Sequence, residues 1–442
     1  MFLSLSMQNF RSFKDETKLN FSVTTPKSHM PSHVSMLDNA SIGALRSVGF
    51  YGANASGKSN ALMALTAIQY LVCSSGDLRD GKNIPCYEPY RLCSDTIDAP
   101  IKFGVEFIID GTRYVYNISF KKNEILNESL DYYPSRVKAN LFTRKEGDSW
   151  QDIKFGNLYK GGTRKIAFFA NNTYLSKAGN NASSPQIIRD VYNFFNDNIE
   201  FIRVGQWIGW NKYIDDLDMI EKASKIISCI DIGISKIIKV DAERELNLSQ
   251  EIPDEIKDMI ISENSFSFAH LSENGNEEIF KKSEESEGTG RFFDMIPMLV
   301  EAFRKQCVIV FDELDNNIHP HMADVIVRLF NDGEVNKYNS QLIFTTHNMQ
   351  LMSPEKMRRD QLFFFEKRQG KSIGYSLNDF DKTRVKSTTP FGVWYDQGRF
   401  GGVPKINYPE IVTLLSGEKF IEQSTFDDLF GEYNDDEVKS DE

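Results

Sequence analysis

Residues Gly52 to Ser59 read GANASGKS and fit the pattern G-x-x-x-x-G-K-[ST]. The run follows an apolar strand pattern, SVGFYG, and opens a helical one, the context in which such a loop cradles phosphates. The chemistry needs these residue types. Glycines such as Gly52 and Gly57 let backbone N–H groups close around phosphate oxygens. Lys58 would neutralise the β- and γ-phosphates, and the Ser59 hydroxyl would ligate Mg²⁺. Asn60 is the next residue of the candidate nucleotide set. A second constellation is VIVFDE, Val308 to Glu313, four apolar β-formers that end in two carboxylates. Asp312 would hold Mg²⁺ through water, and Glu313 would polarise the attacking water. The predicted ligands are therefore ATP and Mg²⁺.

A third stretch, ESEGTGR (Glu285 to Arg291), looks by itself like a solvated acidic loop. It stands directly before the amphipathic run RFFDMIPMLVEAFRK, so Ser286, Gly288 and Thr289 would present donors at a helix N-terminus. The five cysteines (Cys73, Cys86, Cys93, Cys229, Cys307) are scattered and never spaced C-x-x-C, which argues against a disulfide framework or a zinc ribbon. His29 and His33 fall in a Pro/Ser-rich stretch that reads as a plain loop.

The elements that must position these residues follow from periodicity. MFLSLSMQNF and TKLNFSV read as short strands, and a helix is expected from about Lys58. Residues 101–133 alternate with period two around Asp110-Gly111, a hairpin signal, and predict an antiparallel meander. Residues 171–265 read as mainly helical. From Gly290 the order is helix, strand (CVIVF), helix (HMADVIVRLFND), strand (QLIFTTH), which implies a parallel sheet. The expected class is α/β, divided into an N-terminal lobe (1–165), a helical insert (166–265), a C-terminal lobe (266–416) and an acidic tail (417–442).

Across 442 residues, 40% are hydrophobic and 26% charged, as for a globular protein with a sizeable core. The net charge of −12 resides largely in STFDDLFGEYNDDEVKSDE, a segment expected to be disordered, and argues against a general DNA coat. No run approaches the roughly 20 apolar residues that span a bilayer, and the N-terminus lacks the basic region of a signal peptide, so a cytoplasmic protein is expected.

DELDNNIHP followed by QLIFTTHN resembles the ABC-type ATPases of the SMC/Rad50/RecF group. The resemblance implies an ABC/SMC-like P-loop ATPase head. In that group the Walker B Asp-Glu is followed by a D-loop aspartate, here Asp315, and later by a switch histidine, here His347, that senses the γ-phosphate. LSMQNFRSF is similar to the group's first strand and turn, which maps Arg11 onto a basic residue reaching the nucleotide. Asn54 matches the loop position near the γ-phosphate. ESEGTGR stands where the group has its signature loop, with Glu285 for the usual Leu and Glu287 for the first Gly. Ser286, Gly288 and Thr289 would then bind the γ-phosphate held by a second copy, giving a homodimer or a higher homo-oligomer through the ATP sites. No glutamine fits the group's Q-loop position.

EPYRLCSD, GTRYVYNISF, DIGI, ESEGTGR, DELDNNIHP, TTHN and YDQGRFGGVP, in this order, are similar to AAA/ABC-like ATPases of bacterial anti-phage systems of the OLD, AbiL/RloB, PARIS and Septu types. This implies a separate nuclease or Toprim-type effector, with DNA or a phage-encoded trigger as further ligands. The residues after His347 hold no histidine and no acidic pair of Toprim form, so the effector is expected on another chain. Two alternatives stay open. One is a DNA-repair ATPase with Lys154, Lys160, Arg164 and Lys165 as a basic face; the other is an ATP-stabilised scaffold with little turnover.

Overall fold

The strand Ser47–Gly52 is buried at every position, as a strand with neighbours on both sides and layers on both faces must be. A computed structural model of the chain describes residues 1–442 except 25–29, 38–41, 204–205, 207–209, 211, 232, 243–251, 387, 405 and 417–442. The expected acidic tail and His29 lie outside the described residues. Six strands form the central sheet in the order Ile199–Ile202, Val308–Phe311, Gln341–Thr345, Ser47–Gly52, Leu362–Arg368, Lys371–Ser376. The first five are parallel, and the last closes the edge antiparallel. Phe311 pairs with Phe344, and Thr345 with Phe50. That register delivers Asp312, Thr345 and Gly52 to one edge, the carboxyl ends of the strands, where open parallel sheets bind ligands.

The expected meander belongs to a seven-stranded antiparallel sheet that also takes in Phe2–Gln8 and Thr17–Asn20. Asp110 (φ 45°) and Gly111 (φ 75°) make its first hairpin turn, both left-handed as a two-residue I′ turn requires.

Period-two alternation divides the core into two layers. Val308, Val310, Phe363 and Phe365 face the helix Lys58–Cys73 and the antiparallel sheet. Ile309, Phe311, Leu362 and Phe364 face the other way, onto Phe292, Phe293 and Ile296 of the helix Glu287–Ala302 and Ile326 and Phe330 of the helix Pro320–Asn331.

Residues 166–265 are mainly helical, with Tyr174–Gly179, Gln186–Asp197, Leu217–Ile230 and Asp254–Asn264. The same segment also contributes two strands that its sequence did not announce. Ile199–Ile202 is an edge of the central sheet, and Ile234–Lys239 pairs with Phe266–Leu271, itself paired with Glu277–Lys281. A four-residue run such as IEFI is too short to show a period, and the neighbouring strand decides its conformation. Met1–Val403 forms one compact unit, whose sheets draw on all three segments marked off in the sequence. Pro404–Glu442 is a second unit, whose described part carries the helix Tyr408–Ser416. Among the described residues no helix is long and apolar enough to cross a membrane.

Candidate phosphate-binding site

Gly57, at φ 117°, is the N-cap of the helix that Lys58 opens. A Cβ there would stand 2.4 Å from Ser372 Oγ, and one on Gly52 (φ 150°) would stand 2.4 Å from the Phe365 carbonyl oxygen. Only glycine therefore allows the loop to fold this tightly. Lys58 bends back inside it: Nζ donates to the carbonyls of Gly52 (2.7 Å) and Ala53 (3.2 Å) and lies 3.3 Å from His347 Nε2. Burial lowers the Lys58 pKa, while the nearby carboxylates of Glu313, Asp312 and Asp315 pull it back up. Asn54 and Ser59 are exposed, so the loop opens to solvent.

The Walker B end is wired to this loop through hydroxyls. Ser59 Oγ donates to Asp312 Oδ1 (2.9 Å), and Thr345 Oγ1 donates to the same oxygen (2.6 Å). Thr345 Oγ1 in turn accepts the Glu313 N–H (2.6 Å), and the Thr345 carbonyl accepts from Leu314 N (2.9 Å). These bonds hold Glu313 at φ 56°, a left-handed conformation that costs a non-glycine residue about 1–3 kcal/mol and is characteristic of functional sites. The Asp315 carboxylate accepts the His347 N–H at 3.2 and 3.4 Å. Desolvation, and then the Lys58 charge, lower the His347 pKa, which keeps the ring neutral at physiological pH. With Lys58 charged, Nε2 is the acceptor in their contact and the ring proton sits on Nδ1.

Arg11 comes from the turn after the first strand, at φ 50°. Its Nη1 donates to Asn60 Oδ1 (3.3 Å), and its Nε pairs with the Glu88 carboxylate. Asn60 Nδ2 donates to Ser12 Oγ (2.7 Å), which lies 2.8 Å from Ser372 Oγ. The structure thus gathers Arg11, Gly52, Asn54, Gly57, Lys58, Ser59, Asn60, Asp312, Glu313, Asp315 and His347 around one loop. Sequence reasoning missed Thr345 and Glu88. A threonine ending a buried strand was a legible signal, because its hydroxyl needs a partner there; Glu88 opens the motif EPYRLCSD, but that motif carried no role for its carboxylate.

Among the described residues no hydrogen bond joins Ser286, Gly288 or Thr289 to Gly52–Ser59. Ser286 caps the helix Glu287–Ala302, its Oγ accepting the Thr289 N–H (3.1 Å), while Thr289 Oγ1 donates to Asp231 Oδ2 (3.1 Å). The Glu287 carboxylate turns to the loop after Walker B and accepts from Asn317 Nδ2 (2.6 Å). Lys154, Lys160, Arg164 and Lys165 are exposed, and Arg164 Nη2 donates to the Tyr159 carbonyl.

Farther along the same helix, Asp294 is buried and takes two bonds from Lys282 Nζ, at 2.7 and 2.8 Å. Desolvation still raises its carboxyl from 3.8 to about 7. The folded chain therefore holds a proton that the unfolded chain has released between these values. Stability from this group is greatest at low pH and is lost as pH rises through about 7. Going from pH 8 to pH 6 is expected to add about 1.4 kcal/mol, and Asp294→Asn to remove that gain. Chemical denaturation of both proteins at the two pH values measures it; equal pH slopes would refute the assignment.

The donors fit a phosphate chain with a divalent ion. Ser56 Oγ is buried in the loop without a hydrogen-bond partner. Ser59 Oγ and Asp312 Oδ1, 2.9 Å apart, offer hard oxygens beside the loop. This is the pattern for Mg²⁺, which binds through one or two protein oxygens and substrate phosphates and needs no all-protein cage.

No curated protein matches the sequence. Among solved structures, the chain is similar to the SMC head domain from Thermotoga maritima, with 16% identity, a TM-score of 0.40, and coverage of 85% of this chain and 98% of that one. It is also similar to an SmcHead bound to the C-winged helix domain of ScpA, with 13% identity, a TM-score of 0.42, and coverage of 87% and 99%. A third similar structure is an Smc head domain with an extended coiled coil bound to the C-terminal domain of ScpA from Pyrococcus furiosus, with 12% identity, a TM-score of 0.39, and coverage of 85% and 96%. Residues 47–353 match the family described as "AAA domain, putative AbiEii toxin, Type IV TA system". That span exceeds two thirds of the chain and runs from the P-loop strand past His347, so the chain belongs to this family of AAA ATPase domains.

Proposed function

We propose that the chain is the ATP-hydrolysing subunit of a bacterial anti-phage defence complex, that two copies close around two ATP molecules, and that nucleotide state controls a separate nuclease or Toprim-type effector. The observation that carries the ATP chemistry is the hydrogen-bonded path from Ser59 through Asp312 and Thr345 to the Glu313 amide, beside the Lys58–His347 contact. Lys58 keeps its bond to the Gly52 carbonyl and turns its other N–H donors to the β- and γ-phosphates, which its charge neutralises. Backbone N–H groups of the loop and the Ser56 hydroxyl surround the phosphate oxygens. Ser59 and Asp312 would hold Mg²⁺, whose charge would offset that of the phosphate chain. Glu313 accepts a proton from the attacking water, and Thr345 fixes its backbone. His347, neutral and beside Lys58, reads the γ-phosphate, and Asp315 carries its position to the D-loop. Arg11 and Asn60 brace the first turn of the P-loop helix.

The loop is open on one side, and a donor set on a second copy would exclude water and complete the cradle. Ser286, Gly288 and Thr289 are the donors proposed for that task. The bonding of Glu287 to Asn317 supports the assignment, since it gives that carboxylate a partner in the loop after Walker B. The family's relation to a type IV toxin–antitoxin system, together with the anti-phage resemblance of the motifs, supports the defence setting. Co-expression with the product of the neighbouring gene tests the reading. A nuclease retained with ATP and lost after hydrolysis is the expected result. Salt-dependent binding to duplex ends with no protein partner would point instead to DNA repair.

A further inference from the structure

The run Tyr395–Val403, YDQGRFGGV, lies far from the P-loop in sequence and touches it in space. The Gly402 carbonyl accepts the Ala53 N–H at 2.6 Å. It also accepts the Tyr395 hydroxyl at 3.1 Å, so both of its lone pairs are used. Gly401 and Gly402 both have left-handed φ values, 69° and 73°. A Cβ on Gly401 would stand 2.4 Å from the Tyr375 hydroxyl, and one on Gly402 would stand 3.2 Å from the Phe365 carbonyl. Tyr375 donates to the Phe400 carbonyl (2.7 Å). The Tyr395 ring stacks on Phe364 (5.3 Å, 18°), in the strand next to the P-loop strand, and Phe400 stacks on Phe364 at 5.5 Å. Burial pushes the Tyr395 phenol up to about 12, so it is a donor at any physiological pH. The glycines therefore do more than make a turn: they bring one carbonyl into the root of the loop.

The bond made there is specific in its consequence. Ala53 N–H and Gly52 C=O belong to one planar trans peptide, so they point in opposite directions. The N–H is held by Gly402, and the carbonyl holds Lys58 Nζ at 2.7 Å. Fixing one end of the plane fixes the other. We propose that Tyr395 and Gly402 are positioning residues for nucleotide: the strap they form sets the Gly52–Ala53 peptide, and through it the place from which Lys58 meets the phosphates. This inference rests on the ATP reading above and goes beyond it by assigning a role to a segment outside the P-loop and Walker motifs.

Tyr395→Phe keeps the ring and its stacking but removes the hydroxyl; Gly402→Ala adds the methyl that the Phe365 carbonyl opposes. Binding of a fluorescent ATP analogue is measured for wild type, both variants and Lys58→Ala, beside the thermal midpoint without nucleotide and the KM and kcat for ATP. The expected result for Tyr395→Phe is a ~2- to 12-fold rise in Kd and KM, the range of one hydrogen bond, with kcat less affected and a near-unchanged midpoint. Gly402→Ala should shift Kd further in the same direction. A Tyr395→Phe protein that loses thermal stability yet binds the analogue as tightly as wild type would overturn the positioning role and leave the ATP reading standing. A wild-type chain that binds no analogue would overturn both.

Discussion

Replacing Glu313 by Gln is expected to lower ATP turnover by about 10²- to 10⁴-fold, the range that general acid–base catalysis supplies, while ATP remains bound. The substitution removes the proton acceptor and little else. Glutamine has the same length, and the backbone at φ 56° is held by main-chain bonds to Thr345 rather than by the Glu313 side chain. Lys58, Ser59 and Asp312 keep their places. Phosphate release and retained nucleotide are measured on the same sample, with size-exclusion chromatography and light scattering for the assembly. Bound, unhydrolysed ATP together with an accumulated dimer is the expected outcome. Hydrolysis at the wild-type rate would show that some other group takes the proton.

Lys58→Ala is expected to weaken ATP binding and turnover together, on the order of 10²- to 10³-fold, as for removal of one preorganised charge from a phosphate site. The structure makes the loss larger than that of a surface charge. Lys58 is 7% exposed and is the cation among the carboxylates of Asp312, Glu313 and Asp315. Without it those carboxylates face incoming phosphates uncompensated. The two variants separate the roles: one binds without turnover, the other does neither. A Lys58→Ala protein with wild-type ATP affinity would sink the phosphate assignment.

Much of the central machinery was legible because local signals agreed with one another. GANASGKS sits between an apolar strand and a helix, VIVFDE ends its strand in carboxylates, and QLIFTTH ends its own in hydroxyls and a histidine. Each apolar run is short, continuous and bounded by turns, which is how a strand buried on both faces must read. Asp110-Gly111 identified its hairpin for a similarly local reason, the left-handed backbone that both residues adopt. The weak places were short strands. IEFI and ISKIIK lie among helices, and neither is long enough to outweigh its surroundings by periodicity.

What the sequence by itself offered is therefore the set of candidate groups and the strand ends that carry them: Lys58 and Ser59 from the glycine-rich pattern, Asp312 and Glu313 from the end of an apolar run, and His347 from the resemblance to ABC-type ATPases. What only the tertiary structure decided is which distant groups complete them. Glu88 pairs with Arg11, Thr345 joins Asp312 to the Glu313 amide, Asn317 draws Glu287 aside, and Gly402 takes the Ala53 N–H. These pairs are separated by tens to hundreds of residues, where neither helical nor strand period carries information. Their geometry comes from sheet order, since Ser47–Gly52 lies between Gln341–Thr345 and Leu362–Arg368, and, for the buried Thr345 and Gly402, from the requirement that polar groups taken out of water find partners.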